Sequence, residues 1–273
     1  MASWLFANGV CRPDNLDDTR EPKYNKEVHY FDHPERYERG VQFYTNRFKH
    51  CFADEETKLV MDATPETLKE ARRVRATYLE AGGEDLAKKL KMIVILREPV
   101  EREISLHHHM RAEYLNTHKK DAWYSHVADG NEEVMPFERY AKEVLATRLA
   151  SPGSRPTGAY VDHLKAWAEE FDREQLLVLG YDELKSNPEK VQWRIQQFLG
   201  ARIAGELPRV NAHGGTTEDE EEAAAKIIKP LFRNKNLELY KFLDDRPGQW
   251  MEQFPFPRFN GEDGDEKSKF AYA

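Results

Sequence analysis

Two short apolar runs give the clearest strand signals along the chain. Met92–Leu96 is uninterrupted and rich in β-branched residues, and Leu176–Leu179 is of the same kind. Such runs are typical of strands that are covered on both faces. Weaker patterns of alternating or aromatic residues predict further short strands at Trp4–Phe6, Lys26–Phe31 and Lys58–Pro65.

Between these runs, apolar residues recur with the spacing of helices. Asn187 followed by Pro188 is typical of a helix start, and Gly200 of a helix end. Thr217 and Glu220 have the spacing of a capping box. Strands that alternate with helices predict an α/β fold with a mainly parallel sheet, in which ligands bind at the carboxyl ends of strands. Helices are predicted over about residues 34–48, 66–79, 100–114, 137–149, 160–171, 188–199 and 229–243.

Composition narrows the classes of protein that this chain can represent. The 273 residues include 41 Lys plus Arg against 49 Asp plus Glu, a net charge of −8, which argues against a general nucleic-acid coat protein. No apolar run reaches the ~18–20 residues of a membrane span. The amino terminus lacks the basic region of a secretion signal, so we expect a soluble chain without a readable signal.

The chain has two cysteines, Cys11 and Cys51, and no CxxC pair. With this count and no CxxC pair, the sequence excludes both a disulfide-rich scaffold and a cysteine zinc site. One bridge between the two cysteines and two free thiols both fit the sequence, and two free thiols are favoured.

Candidate chemistry follows the strand Met92–Leu96. Arg97 lies at the carboxyl end of the strand, and Ser105 falls within the first two turns of the next predicted helix. An arginine and a hydroxyl near a helix amino terminus can bind a phosphate, although an arginine at such a place more often forms a surface ion pair. The run His107–His109 does not predict a metal site, because consecutive helical residues point about 100° apart.

The string KMIVILREPVEREISLHHHMR, residues 91–111, resembles the 3′-phosphate-binding motif of the sulfotransferases that use PAPS, 3′-phosphoadenylyl sulfate, as sulfuryl donor. The resemblance implies that Arg97 and Ser105 bind the 3′-phosphate of PAPS. It also implies a P-loop-NTPase-like three-layer sandwich, with a mainly parallel central sheet flanked by helices. The positions that match the family pattern in order and spacing are Lys91, Leu96, Arg97, Pro99, Arg102 and Ser105.

A second segment, Lys26–Tyr44, resembles the part of heparan sulfate sulfotransferases that carries the catalytic base. The resemblance assigns that role to Glu27, whereas without it Glu27 reads as a surface glutamate at a strand edge. His29 can face the same cleft or simply pack. The likeness extends over about residues 26–250, including Met61–Leu68.

The chain departs from the family where a glycine-rich K-x-G-T-T loop normally holds the 5′-phosphosulfate. No such loop is recognisable in Phe6–Asn25, and the downstream Gly214–Thr217 reads as a helix-start loop. Lys23, Lys26 or Arg12 can supply the missing charge, but no spacing supports any of them. Either a nearby segment takes over the role of this loop, or the chain is a truncated or inactive member of the family.

We therefore expect an enzyme that moves a sulfuryl group from PAPS to a hydroxyl or amine of a carbohydrate-type acceptor, without a metal. The alternative is a catalytically impaired module that binds a nucleotide or glycan. Neither nucleic acid nor a membrane span is expected, and the resemblance suggests the Golgi lumen if the source is eukaryotic. The expected organisation is an irregular arm (1–25), one sulfotransferase-like domain (26–259) and a flexible tail (260–273).

Overall fold

A computed structural model describes residues 1–14, 26–53, 59–120, 122–150, 157–207, 217–245 and 256–259. The chain divides into two compact units. The first comprises Met1–Val94, His163–Val210 and Gly248–Gln253, and the second comprises Ile95–Asp162, Asn211–Pro247 and Phe254–Ala273. This division does not test the predicted domain boundaries at residues 25 and 259, which stay a prediction.

The first unit is built mainly from helices around a small sheet. The sheet consists of most of β1 (Met92–Leu96) and all of β2 (Leu176–Gly180), which are hydrogen-bonded neighbours. Both strands begin and end within one residue of the predicted positions. Short 3₁₀ turns lie at Lys49–Phe52, Pro65–Lys69 and Arg173–Gln175. The helices are α1 (Ala2–Ala7), α2 (Pro34–Tyr37), α3 (Val41–Asn46), α4 (Ala71–Ala87), most of α8 (Tyr160–Glu170), α9 (Tyr181–Ser186) and α10 (Pro188–Leu199).

Local sequence explains several of these boundaries. Asn187 caps α10 by accepting a hydrogen bond from the Lys190 N–H at 3.3 Å, and Gly200 ends the helix in the left-handed conformation. Arg194 of α10 is fully buried, where it donates to Glu183 at 3.2 Å and to the Val178 carbonyl of β2 at 3.2 Å. This buried pair joins α9, α10 and β2.

The second unit has its own apolar core. Its helices are α5 (Pro99–Thr117), α6 (Phe137–Tyr140), α7 (Ala146–Ala150), α11 (Glu218–Ala223) and α12 (Lys229–Asp245), with π-helical turns at Ala141–Leu145 and Ala224–Ile228. A 3₁₀ turn, Trp123–Val127, packs beside α5. The capping box predicted for Thr217 and Glu220 is confirmed, since each residue accepts a hydrogen bond from the other's backbone N–H. The core includes Ile104, Met110, Tyr114, Val127, Phe137, Tyr140, Leu145, Ile228 and Phe232.

Three predicted strands are wrong. Trp4–Phe6 lies within α1, where Trp4 and Leu5 are buried. Lys26–Phe31 has no regular structure, because its backbone groups bind side chains instead of a neighbouring strand. Of Lys58–Pro65, the described part, 59–65, forms only a single parallel bridge between Val60 and Cys11.

Two helical predictions needed adjustment as well. The helix predicted over residues 34–48 is divided by Gly40, which has a positive φ of 80°. Positive φ suits glycine, which has no Cβ to clash, and it stops a right-handed helix. The helix predicted from Glu66 to Leu79 instead begins as a 3₁₀ turn and continues as α4 through a kink at Gly82 and Gly83.

The cysteines also differ from the favoured prediction. Cys11 and Cys51 form a disulfide, so neither is a free thiol. The bridge links the segment after α1 to the 3₁₀ turn Lys49–Phe52. Among the described residues, no helix combines the length and apolar character required to cross a bilayer.

Candidate active site

The backbone around Glu27 is held by the turn at residues 62–64. The Asp62 carboxylate accepts hydrogen bonds from the backbone N–H of Val28 at 3.2 Å and from the Thr64 hydroxyl at 2.6 Å. The Thr64 hydroxyl in turn accepts from the His29 N–H at 3.0 Å, and the Ala63 N–H donates to the Lys26 carbonyl at 2.8 Å. These four contacts fix the segment that carries Glu27.

Two arginines fix the other side of the same segment. Arg36 donates to the Val28 carbonyl at 2.5 Å, and Arg73 donates to the Phe31 carbonyl at 2.6 Å. Val28, Tyr30 and Phe31 are buried in the core of the first unit. Since Glu27 and His29 alternate with these buried side chains, they point away from the core, as the alternation in the sequence suggests.

Glu27, His29 and Asp32 form one chain of charged contacts. His29 Nε2 lies 3.1 Å from Glu27 Oε2, and His29 Nδ1 lies 2.7 Å from Asp32 Oδ2. Lys26 Nζ contacts the other carboxylate oxygen of Glu27, Oε1, at 2.9 Å. Glu27 therefore lies between two cationic groups, and the imidazole is held at both nitrogens by carboxylates.

The pKa values follow from these contacts. Hydrogen bonds to Asp32 and to Glu27 raise the pKa of His29 to about 9, against the opposing effect of burial. Burial alone would raise the pKa of Glu27, but hydrogen bonds from His29 and Lys26 outweigh it and lower the pKa. At neutral pH the histidine is therefore charged and Glu27 is ionised, the form in which a carboxylate can accept a proton.

His29 adopts a backbone conformation that is uncommon for its residue type. Its φ is +51°, in the left-handed region. Such conformations cost of order 1–3 kcal/mol and cluster at functional sites, where surrounding contacts maintain them. Here the bonds to Thr64, Asp32 and Glu27 hold it.

In the second unit, Arg97 and Ser105 lie where the sequence predicts them. Arg97 directly follows β1, and its Nε donates to Glu101 at 3.3 Å. Ser105 is exposed on the second turn of α5. Glu101 and Ser105 are four residues apart, so they are neighbours on one helix face.

Acidic groups occupy part of the environment predicted for a phosphate. Glu98 caps α5 by accepting from the Glu101 N–H at 2.7 Å, which uses one of the free donors at the helix start. Arg102, which matches the family pattern, contacts the buried Glu103 at 2.5 Å. An anion at this place therefore depends more on Arg97 and Ser105 than on the helix end itself.

Tyr160 fixes the position of Arg97. Its hydroxyl donates to the Arg97 carbonyl at 2.8 Å, and its ring is buried. Burial raises the pKa of Tyr160, so the phenol keeps its proton and remains a donor. No sequence pattern singles out this tyrosine, which lies 63 positions from Arg97 along the chain.

The three consecutive histidines of α5 and the arginines of α4 each have partners of their own. His107 bonds the Met135 carbonyl, His108 pairs with Glu220, and His109 stacks on Trp123. His107, His108 and Glu220 nevertheless bring ligand atoms within 4.8 Å of one another, closer than helical geometry alone suggested. Three arginines of α4, which lies in the first unit, contact acidic residues of that unit: Arg72, Arg73 and Arg75.

Sequence reasoning selected Glu27 and considered His29, but it missed Asp32, Asp62 and Thr64. Glu27 and His29 are two positions apart, as residues on one face of an extended segment are, but Asp32 falls outside this alternation and lies beside His29 Nδ1 through the local fold. The roles of Asp62 and Thr64 depend on a contact across more than 30 positions, which one sequence does not reveal. Residues 15–25 and 208–216, which include Lys23 and Gly214, lie outside the described part of the chain.

Comparison with known proteins gives several relatives of low identity. The human protein named bifunctional heparan sulfate N-deacetylase/N-sulfotransferase 3 is 26% identical over 220 residues, which cover 80% of this chain and 22% of the relative. Mouse sulfotransferase 1B1 is 36% identical over 78 residues, or 28% of this chain and 24% of the relative. The chain thus spans about a fifth to a quarter of the length of these relatives over the matched regions.

A solved sulfotransferase from Alicyclobacillus acidocaldarius superposes with a TM-score of 0.49 at 20% identity, covering 82% of this chain and 85% of that one. The model of the sulfotransferase domain family matches residues 11–252, most of the chain. This match includes the Glu27 segment and the Arg97–Ser105 segment, and it confirms the α/β fold class with a parallel sheet. The chain therefore belongs to the sulfotransferase domain family.

Proposed function

We propose that this chain transfers the sulfuryl group of PAPS to a hydroxyl or amine of a carbohydrate-type acceptor. Family membership supports sulfuryl transfer, and the name of the human relative supports a glycan acceptor. The observation that supports the proposal is the contact chain Glu27–His29–Asp32, because these contacts hold the carboxylate to which the family resemblance assigns the role of base.

Glu27 accepts the proton of the acceptor hydroxyl while the hydroxyl oxygen attacks the sulfur of PAPS. The bond between sulfur and the phosphate oxygen breaks, and the 3′,5′-bisphosphate PAP leaves with the electron pair. Asp32 holds His29, and His29 orients Glu27 through Oε2, so these two are positioning residues. A low pKa makes Glu27 a weak base, and displacement of Lys26 from Oε1 by the acceptor would increase its proton affinity.

Arg97 and Ser105 bind the 3′-phosphate of PAPS in this proposal. The guanidinium supplies charge-assisted hydrogen bonds and the hydroxyl supplies one more donor. The phosphate competes with the Glu101 carboxylate for the Arg97 guanidinium, whose five N–H donors form one planar fork. The Tyr160 bond to the Arg97 carbonyl keeps the backbone in place while the side chain moves.

Isothermal calorimetry with PAP tests the donor site. We expect heat of binding with the wild type, at least ~10-fold weaker binding with Arg97→Ala, and an unchanged constant with Arg111→Ala, an exposed residue of the same helix. Equal binding by the wild type and Arg97→Ala, or no binding by either, would refute the donor site.

Loss of the glycine-rich loop from the sequence favours one second candidate function. Transition-state charge on the leaving oxygen is usually stabilised by such a loop, and removal of one donor can cost ~10²–10³ in rate. Of the replacements considered, Lys26 contacts Glu27 and Arg12 is exposed. Binding of PAP without transfer from radiolabelled PAPS to a panel of sugars would identify a nucleotide-binding module instead.

A further inference from the structure

A cluster of sulfur and nitrogen atoms lies around the disulfide of the first unit. His50 Nε2 lies 3.4 Å from Cys11 Sγ and 3.5 Å from Cys51 Sγ. The other ring nitrogen, Nδ1, lies 3.1 Å from Asp14 Oδ2. No part of the proposed sulfuryl transfer uses these four residues.

Backbone hydrogen bonds also hold this cluster together. The Cys11 N–H donates to the Leu59 carbonyl at 2.9 Å, and the Met61 N–H donates to the Cys11 carbonyl at 3.0 Å. The Asp14 N–H donates to the Arg47 carbonyl at 2.7 Å. Both ends of the segment Cys11–Asp14 are thus held by backbone hydrogen bonds in addition to the disulfide.

The distances fit a tetrahedral metal centre. Zinc binds thiolate sulfur at ~2.3 Å and imidazole nitrogen at ~2.0–2.1 Å, which places a nitrogen and a sulfur ligand ~3.5 Å apart. The observed distances from His50 Nε2 to the two sulfurs already have this value. Only the two sulfurs have to separate, to ~3.8 Å.

Asp14 supplies the orientation that a histidine ligand requires. Histidines that bind metals commonly donate the other ring N–H to a carboxylate, which fixes the tautomer. With the Nδ1 proton on the Asp14 side, Nε2 presents its lone pair to the sulfurs. Cys51 is almost fully buried, whereas His50 is 40% exposed, so one side of the cluster is open to an incoming ion.

We propose that, after reduction of the Cys11–Cys51 disulfide, Cys11, His50 and Cys51 bind one Zn²⁺ ion, with Asp14 as the positioning residue and water as fourth ligand. A dithiol reductant donates two electrons and two protons, is itself oxidised to a disulfide, and leaves two thiols. Zinc then displaces both thiol protons to solvent and takes two thiolates and the neutral imidazole. The site therefore exists in one redox state, and the disulfide in the other.

Cobalt spectroscopy gives a specific test, because Cys11 and Cys51 are the only cysteines in the chain. A sulfur-to-cobalt charge-transfer band can arise at no other place, including the sulfur-free clusters around His29 and His107. The full chain is reduced with a phosphine, cleared of reductant without air, and titrated with Co²⁺. We expect the band to saturate at one equivalent and to disappear on addition of Zn²⁺, which binds more tightly.

Variants identify the ligands. Asp14→Asn should weaken Co²⁺ binding ~10–100-fold, as loss of an orienting carboxylate does, and His50→Ala should weaken it further. Cys11→Ser, at the less buried cysteine, should remove most of the band while circular dichroism verifies the fold. The control His126→Ala, an exposed histidine elsewhere, should bind like the wild type.

Two results would overturn the proposal. One is the absence of a charge-transfer band in the reduced wild type. The other is unchanged affinity in His50→Ala, since the geometry makes this imidazole a ligand. Protein kept in the disulfide form serves as the negative control and should show no band.

Discussion

Exchange of His29 for asparagine should remove a pH-dependent part of the folding free energy. Asparagine tolerates the left-handed backbone that His29 adopts, so the exchange removes the charge with little backbone strain. The pKa of His29 rises from 6.5 to about 9 in the folded protein, because Asp32 and Glu27 bind the charged imidazole. Because the folded protein binds the imidazole proton more tightly than the unfolded chain does, protonation of His29 stabilises the fold.

The size and sign follow from linkage. The stabilisation is fully present below pH 6.5 and is lost as the pH rises through about 9. The full shift corresponds to ~3 kcal/mol. Because the side chain remains 23% exposed, screening reduces the expected contribution to ~1–2 kcal/mol.

Chemical denaturation of the wild type and His29→Asn over this pH range measures the effect. The stability difference between the two proteins should be largest below pH 6.5 and should shrink by ~1–2 kcal/mol above pH 9. His126→Asn, at an exposed site, serves as control. A difference that stays constant across the range would refute the charged contact chain at Glu27, His29 and Asp32.

Two further substitutions test the packing that supports the site. Arg194→Ala should cost ~3–5 kcal/mol in urea denaturation, since it leaves Glu183 without its buried partner; a cost below ~1 kcal/mol would show that the pair contributes little. Gly158→Ala should cost ~1–3 kcal/mol, because a Cβ there would lie 2.9 Å from the buried Phe232 ring. An unchanged melting temperature for Gly158→Ala would mean that the ring moves aside freely.

Local sequence patterns predicted those helices and strands whose determining residues lie within a few positions of one another. Strands β1 and β2 and helix α10 appear within a residue of their expected bounds, because apolar runs and caps act within a few positions. Lys26–Phe31 has the composition of a strand, yet its backbone binds Asp62, Thr64 and Arg36. Such side-chain partners come from distant parts of the chain, so strand propensity was misleading there.

In the candidate site, too, local motifs identified residues, whereas contacts between distant positions were not predicted. Arg97, Ser105 and Glu27 were identified from motif spacing, and the structure places each on a fixed segment, although their catalytic roles remain proposals. The disulfide was not favoured, because 40 positions separate its cysteines and no motif joins them. Backbone contacts outside any motif hold the Cys11 segment: a bridge pairs Cys11 with Val60, and the Asp14 N–H donates to the Arg47 carbonyl, close to the turn that carries Cys51.

Transfer of radiolabelled sulfate from PAPS to glycan acceptors tests the proposed activity most directly, with the wild type, Glu27→Gln and the exposed control Glu38→Gln compared at equal concentration. We expect transfer by the wild type and by Glu38→Gln, and a loss of ~10²–10⁴ in rate for Glu27→Gln, the usual contribution of a positioned base. Glu27→Gln that transfers sulfate at the wild-type rate would contradict the assignment of Glu27 as the base.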